Sequence, residues 1–137
     1  MEVFDAVRTV LAVREFQDKP VPPDDARRIV EAARLTASSQ NKQPWLFIAV
    51  DDRGTLRQLG GIARSGPYIA QALFAIVVST EDTPFAVSDA SRAVQSMVLT
   101  AWSEGIGSNW AGFGGLEGAK PILGLPDGLQ VLAIVPG

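Results

Sequence analysis

The chain has 137 residues, a formal net charge of -3, and neither cysteine nor histidine. This length suits one domain over residues 1–137, and the missing thiols and imidazoles exclude cysteine and serine–histidine nucleophiles, histidine-bound metals and iron–sulfur clusters. Because these side chains are missing, any redox chemistry has to come from a cofactor. The acidic balance has the wrong sign for binding nucleic acid through its phosphates.

Two helices are predicted in the N-terminal part of the chain. The first carries apolar residues at i, i+3, i+4 and i+7 spacing, so it should run from Val3 to about Ala12 with its apolar stripe facing a core. The second begins at Pro23, whose ring suits the first turn of a helix, and should end near Thr36.

A polar loop, a strand and two short helical segments are predicted next. Residues 37–44 form the loop because their serine and asparagine side chains compete with helical hydrogen bonds, and a strand covers residues 45–50. A short helix over residues 55–59 is closed by a glycine pair at 60 and 61, and a further helical turn starts after Pro67.

The C-terminal half is predicted to contain a central strand, a long helix and a last strand. Residues 73–78 are apolar on both faces, which favours a strand at the centre of a sheet. The long helix is capped by Ser88 and stopped by Gly105, and the last strand covers residues 129–135. A second row of small residues on the long helix (Ser96, Thr100 and Ser103) either admits a neighbouring helix, for example from a partner subunit, or is simply solvated.

Composition also bears on location and assembly. The longest apolar run, residues 72–78, is far shorter than the roughly 18 residues of a membrane span, and the acidic N-terminus is unlike a signal peptide. These features predict a cytoplasmic protein. A hydrophobic content of 47% is high for an acidic monomer, which predicts a homodimer that covers apolar surface.

Six of the thirteen glycines lie between Gly105 and Gly118, which makes this stretch a candidate site. It is not a dinucleotide fingerprint, because Trp110 stands where the third glycine belongs and the segment leaves a helix instead of entering one. Backbone N–H groups beside Trp110 suit a flat heterocycle with acceptors on its edge. A helix C-cap followed by a plain loop is the alternative.

Two further segments are candidates. Ser38, Ser39, Asn41 and Gln43 supply hydroxyl and amide groups without net charge, as a ribityl chain or a uracil-like ring edge requires, although such a loop is also typical of an ordinary turn. Arg14 follows the first helix, where an arginine by itself indicates only a helix-dipole partner or a surface ion pair.

Together these segments resemble the successive signatures of the nitroreductase family of flavoproteins. The pattern S-S-x-N-x-Q-P-W is the most specific part of the resemblance, which runs through nearly the whole chain in the right order. The residues that carry it are Val13-Arg14-Glu15-Phe16, Pro20-Val21-Pro22, the run from Ala32 to Trp45, Asp89-Ala90, and Gly105-Ile106-Gly107-Ser108-Asn109-Trp110.

The resemblance implies an α+β fold in which a mostly antiparallel sheet is flanked by helices, and an interlocked homodimer with two FMN sites at its interface. The loop would contact the flavin and its ribityl chain, with Asn41 reaching across the interface. A backbone N–H of the glycine-rich stretch would lie near flavin N5, and Arg14 would lie by the phosphate or the pyrimidine edge. The implied cofactor-binding residues are Arg14, Ser38, Ser39, Asn41, Gln43, Trp110, Ala111 and Gly112.

The chain also departs from the family pattern. Family members commonly end the first helix with Arg-x-Ser-x-Arg/Lys, and Val10 and Ala12 stand here in place of the arginine and the serine. The family usually adds a tail after the last strand, and none follows Gly137. Either Arg64 or Lys42 replaces the missing contacts, or the grip on FMN is weaker, or the chain continues beyond this sequence.

The implied activity is an FMN-dependent NAD(P)H oxidoreductase that reduces nitroaromatic, quinone or similar electron-poor acceptors in a ping-pong cycle through flavin N5. No catalytic side chain and no metal are required, since the flavin carries the electrons and the protein supplies orientation and electrostatics. The alternatives are a flavin-binding or sequestering protein without turnover and a degenerate member that retains only the dimer scaffold.

Overall fold

The computed structural model describes residues 1–112 and 114–137. Helices and strands follow the order α1, α2, β1, α3, β2, α4, α5 and β3, an α+β arrangement. The helices are α1 (Val3–Thr9), α2 (Pro23–Arg34), α3 (Arg53–Ile62), α4 (Ala86–Ser103) and α5 (Ala119–Leu123). The strands are β1 (Trp45–Val50), β2 (Ala75–Glu81) and β3 (Leu129–Pro136), and 3-10 turns cover Ser39–Asn41 and Pro67–Gln71.

The three strands form one antiparallel sheet in the order β1-β2-β3. The predicted central position of β2 is confirmed, and so is the antiparallel character of the sheet. The register between β2 and β3 shifts at Val78 and Ser79. Such a bulge changes which side chains of the bulged strand face each side, so Val131 and Ala133 pack on opposite faces despite their even spacing.

Each face of the sheet has its own apolar core. Alternate residues of β2 point to opposite faces, so Ile76 and Val78 pack against α2 and α4, whereas Ala75 and Val77 pack against α3, α5 and the 3-10 turn at residues 67–71. A strand that is buried on both faces has to be apolar throughout, which explains why its sequence lacks alternation. Helices α2 and α4 run antiparallel, because Thr36 bonds to Ser96 and Arg28 pairs with Glu104.

Helix α1 differs from the prediction in length and in what it covers. It ends at Thr9 and the backbone is already extended at Val10. The predicted core-facing stripe is exposed: Val3, Phe4 and Val7 are 78%, 72% and 54% exposed, and Leu11 beyond the helix is 64% exposed. An apolar stripe in a sequence shows that a face is to be covered but not by which chain, so the expectation that this stripe faces the chain's own core was wrong.

The predicted glycine stop at positions 60 and 61 was also wrong, because α3 runs through both residues to Ile62. A Cβ atom on Gly60 would lie 2.7 Å from the backbone nitrogen of Ala70. Gly60 therefore allows α3 to approach the 3-10 turn closely. Asp52 caps the start of the helix, since its side chain accepts a hydrogen bond from the Thr55 backbone N–H.

Helix α4 confirms the predicted apolar spacing but not the predicted cap. Phe85 precedes its first turn, and Ser88 lies inside the helix with its hydroxyl donating to the Phe85 carbonyl at 3.1 Å. Within the second row of small residues, Ser96 contacts the same chain just beyond α2, since Thr36 Oγ1 donates to Ser96 Oγ at 2.8 Å. Thr100 and Ser103 line a cavity that residues of α2 also line. Among the described helices, none is both long and apolar enough to span a bilayer.

Candidate functional site

The segment that contains Arg14 pairs with the glycine-rich stretch. Ala12 forms a parallel bridge with Ser108, and the Val13 N–H donates to the Ser108 carbonyl at 3.1 Å. A Cβ atom on Gly107 would lie 2.6 Å from Val13 Cγ2, so only glycine allows the two backbones to come this close. The structure therefore brings these two predicted segments together, and we call this contact the seam.

Asn109 ties the seam to a third segment. Its side chain is 4% exposed, and its Nδ2 donates to the Val13 carbonyl at 3.3 Å and to Tyr68 Oη at 2.7 Å. Tyr68 in turn contacts Phe16, with ring centroids 6.5 Å apart. The linking roles of Asn109 and Tyr68 could not be predicted from the sequence. Asn109 is one polar residue within the glycine-rich stretch, and no local pattern indicates Tyr68.

Beyond the seam the chain joins the sheet. The Ala111 N–H donates to the Ile134 carbonyl at 2.8 Å, and the Ala111 carbonyl accepts from the Ile134 N–H at 3.0 Å. The Ala111 N–H is therefore engaged within the fold, whereas the Gly112 N–H has no backbone acceptor among the described residues. Gly112 has a φ of +75°, and a Cβ atom there would lie 2.8 Å from Leu116, so a side chain is excluded twice.

Two adjoining cavities open beside Gly112. One is lined by Ser65, Trp110 and Gly112 with two residues of α4, Val87 and Ser91. The described residues that line the other are Arg64, Ser65, Gly112, Gly114 and Gly115. Because they share Ser65 and Gly112, we treat them as one feature, the glycine crevice. Trp110 forms part of its wall, with Nε1 donating to the Gly112 carbonyl at 2.8 Å.

Two arginines supply positive charge around this region. Arg14 on the seam and Arg64 on the glycine crevice are both exposed, and neither forms an ion pair with another described residue. Val10 and Ala12 offer no polar side chain to an anion. Lys42 is exposed on the polar loop.

The polar loop, residues 38–43, adopts an unusual backbone. Gln40, Asn41 and Gln43 have φ values of 55°, 54° and 50°, a region that costs non-glycine residues free energy. Bonds within the loop support this conformation: the Gln43 N–H donates to Ser38 Oγ at 2.9 Å, and Gln43 Nε2 donates to Asn41 Oδ1 at 2.8 Å.

Asp89 holds the loop against α4. Its side chain is 1% exposed, and Oδ1 accepts from the Ser39 N–H at 2.9 Å, from Ser39 Oγ at 3.1 Å and from Arg92 Nη2 at 2.6 Å. Burial raises the pKa of Asp89, but the hydrogen bonds from the Ser39 backbone and from Arg92 outweigh burial, so the pKa lies below its ordinary value. Asp89 is thus a buried anion in the folded protein.

The loop and the glycine crevice lie on different sides of α4. Val87 and Ser91 face the crevice, and residues four apart are separated by only about 40° around a helix. Asp89, which holds the loop, is rotated by about 200° from Val87. The cavities beside Gly112 include no residue of the loop. One chain therefore does not bring its two candidate halves into one pocket among the described residues.

Comparison with known proteins decides the family. The model of the nitroreductase family matches residues 8–83 and 67–137. The chain belongs to the nitroreductase family. A relative from Methanothermobacter thermautotrophicus, provisionally named an NADH dehydrogenase/NAD(P)H nitroreductase, is 32% identical over 145 residues, which cover 99% of this chain and 76% of the relative.

Solved structures of this family share the fold. The FMN-dependent nitroreductase of Clostridium difficile R20291 superposes with a TM-score of 0.93 at 25% identity, over 97% of this chain and 84% of that chain. A protein from Desulfovibrio desulfuricans, provisionally named a nitroreductase and solved in complex with FMN, superposes with a TM-score of 0.87 at 26% identity, over 98% of this chain and 83% of that chain. The α+β nitroreductase fold predicted from the sequence is confirmed.

Proposed function

We propose that this chain is a flavin-dependent oxidoreductase that binds FMN between the glycine crevice of one copy and the polar loop of a second copy, and takes electrons from NAD(P)H for electron-poor acceptors such as nitroaromatics or quinones. The observation that carries the proposal is the separation of the two halves by α4, because each half is an incomplete polar surface in one chain. The FMN-dependent and FMN-bound members of the family described above support the choice of cofactor.

The exposed apolar stripe of α1 supports a homodimer. Val3, Phe4 and Val7 present adjacent apolar side chains on a short helix, and Leu35 at the end of α2 is a further large exposed residue at 68%. Exposed apolar patches of this kind on a small acidic chain mark an interaction surface. A second copy that covers this stripe would also bring a second polar loop.

The residues beside Gly112 fit the ring of a flavin. Gly112 leaves its backbone without a side chain, its N–H has no backbone acceptor among the described residues, and Trp110 walls the crevice with an aromatic surface. The polar loop adds hydroxyl and amide groups without charge, which suits ring-edge carbonyls and ribityl hydroxyls. Its members Ser38, Ser39, Asn41 and Gln43 remain proposed contacts, as do Trp110, Ala111 and Gly112.

The phosphate end fits less completely. Val10 and Ala12 cannot donate hydrogen bonds from their side chains, so the charge has to come from other groups. Arg14 and Arg64 are the exposed arginines beside the seam and the crevice, and we assign the anionic end of the cofactor to this pair, with Arg14 also able to serve the pyrimidine edge. A site with fewer phosphate ligands predicts weaker retention of FMN.

Bound FMN would supply the redox chemistry, accepting a hydride from NAD(P)H and passing electrons to the second substrate in a ping-pong cycle. The chain's part is to orient and stabilise. The Gly112 N–H, which has no backbone acceptor among the described residues, would donate to an acceptor on the ring, and the Arg14 guanidinium would stabilise added negative charge through space. Trp110 lines the crevice and would cover one side of the ring with an apolar surface.

The visible spectrum of the purified protein, recorded without oxygen before and after addition of NADH or NADPH, tests this function. A yellow protein that is bleached by either nucleotide and regains its colour with a quinone is the expected result. A yellow protein that neither nucleotide bleaches would indicate a flavin-binding protein without turnover. A colourless protein that takes up no added FMN would contradict the proposal. The cytoplasmic location stays a prediction.

A further inference from the structure

We propose that Asp89 is a positioning residue for flavin binding, and that it acts on the site of the other copy by fixing the polar loop in its binding conformation. This inference rests on the function proposed above. Asp89 is separated from the loop by about fifty positions in the sequence and is oriented away from the glycine crevice of its own chain. It would not touch the cofactor itself.

The backbone conformation of the loop needs support from its surroundings. Three of its residues lie in the left-handed region without being glycine, and such a backbone persists only where its surroundings enforce it. The bonds from Gln43 to Ser38 and Asn41 are internal to the loop, so they shape it but do not place it.

The position of the loop relative to α4 depends on the contact between Ser39 and Asp89. Among the described residues, the hydrogen bonds that join residues 38–43 to another part of the chain both come from Ser39, and both end on Asp89 Oδ1. The carboxylate is 1% exposed and also accepts from Arg92 at 2.6 Å. Charge-assisted bonds that are shielded from water are the stronger kind. Asp89 therefore carries the hydrogen-bonded attachment of residues 38–43, and further along the chain the next bond to another element comes only at Pro44, whose carbonyl accepts from the Glu81 N–H at 2.9 Å.

Loss of this contact has a consequence for binding. If Asp89 is lost, the loop is free to relax from its left-handed conformation. Part of the free energy of FMN binding would then be used to order the loop. Losing hydrogen bonds to a charged group corresponds to a rise of about 10- to 100-fold in Kd. Asp89→Asn keeps one acceptor oxygen and should fall between the wild type and Asp89→Ala. Arg92→Gln leaves both Ser39 bonds in place and should change Kd by less than about threefold.

Asp52 offers a matched control. It accepts from Thr55 N at 2.9 Å and from Thr55 Oγ1 at 2.8 Å, the same pair of donor types that Ser39 presents to Asp89, but at the start of α3. FMN titration with flavin fluorescence, together with thermal unfolding of the FMN-free proteins, separates binding from stability. Asp52→Ala should lower Tm without changing Kd. Asp89→Ala binding FMN as tightly as the wild type, or Asp52→Ala weakening it equally, would overturn the inference.

A mixed dimer tests whether the loop serves the other copy. Ser65 is exposed on the glycine crevice, so Ser65→Trp should block that crevice without disturbing the fold. Two differently tagged chains, one with Asp89→Ala and one with Ser65→Trp, are expressed together and purified through both tags. One site then combines an intact crevice with an intact loop. At an FMN concentration a few times the wild-type Kd, we expect this site to fill, while the Asp89→Ala homodimer with its raised Kd stays mostly empty and the Ser65→Trp homodimer is blocked.

The outcomes are distinct. Restored FMN in the mixed dimer supports action across the interface. A mixed dimer as empty as its parents means that the loop serves its own chain, which overturns this inference and the proposed placing of the site between two copies, while the flavin-dependent oxidoreductase activity stands. A wild-type chain that does not bind FMN contradicts the proposed function itself.

Discussion

The seam and the polar loop are two ways of building half of a binding site. At the seam, backbone pairing, a glycine contact and the buried Asn109 all join the Arg14 segment to the glycine-rich stretch. The loop has good internal bonds but is joined to α4 through one carboxylate. Several contacts share the attachment of the first half, whereas the attachment of the second half depends on Asp89.

The largest loss of stability should come from a side chain placed at Gly107, where the two segments of the seam meet. Gly107→Val places branched carbon atoms where a single Cβ would already lie 2.6 Å from Val13 Cγ2, so we expect a loss of about 1–3 kcal/mol in the free energy of unfolding. Urea unfolding measures it. Gly61→Ala is the control: a Cβ there meets nothing within 4 Å, and a helix interior gains about 0.5–1 kcal/mol from alanine. Equal stability of the two variants would contradict this view of the seam.

Removing the amide of Asn109 should cost less than breaking the backbone approach. Asn109→Ala leaves the Tyr68 hydroxyl and the Val13 carbonyl without their partner, which predicts a loss of about 1–2 kcal/mol. Tyr68→Phe removes one of the two bonds and should cost about 1 kcal/mol or less. Chemical denaturation of both variants checks this order. A Tyr68→Phe variant less stable than Asn109→Ala would show that Asn109 is not the centre of the contact.

A substitution at Arg14 tests the charge that the seam contributes to flavin binding without changing how the seam is packed. Arg14→Ala removes an exposed cation that has no ion-pair partner among the described residues, so we expect unchanged folding, with flavin affinity about tenfold weaker or a lowered reduction potential. Arg57 is a different exposed arginine, which lies on α3, and Arg57→Ala is the control. FMN titration and potentiometry measure the two quantities. If both match the wild type, Arg14 does not belong to the site.

The smallest effect is a pH dependence at the loop. The pKa of Asp89 in the folded protein lies below the ordinary 3.8, so its ionised form adds stability above that value, and this contribution is lost as the pH falls below 3.8 through the folded pKa. The stability difference between the wild type and Asp89→Asn should therefore narrow in acid. Urea unfolding from about pH 5 downward follows it. A difference that stays constant would contradict the role of the charge.

Local patterns predicted most of the fold. Helix α4 and the buried strand β2 are marked by residue spacing and apolar runs, which depend only on neighbours in sequence. The helix stop predicted at Gly60 was wrong because glycine is needed there for a close contact with Ala70, which is distant from the pattern that was used. The predicted burial of the α1 stripe was wrong because a sequence does not show which chain covers an apolar face.

The candidate site was predictable only in part. The resemblance identified the polar loop, Arg14 and the glycine-rich stretch, and the structure joins the last two. It did not reveal Asn109 with Tyr68 or Ser39 with Asp89, because these pairs are far apart in sequence and depend on how α4 and the 3-10 turn pack. The engagement of the Ala111 N–H with Ile134 likewise depends on the sheet.

The central claim is that two copies of the chain complete one flavin site. Sedimentation velocity recorded at a flavin absorption wavelength tests it directly, because the method reports the size of the species that carries the cofactor. We predict that the colour sediments with a particle of twice the 14.5 kDa chain mass and is lost when dilution separates the copies. Flavin that sediments with the single chain, at the same affinity as with the dimer, would contradict the account.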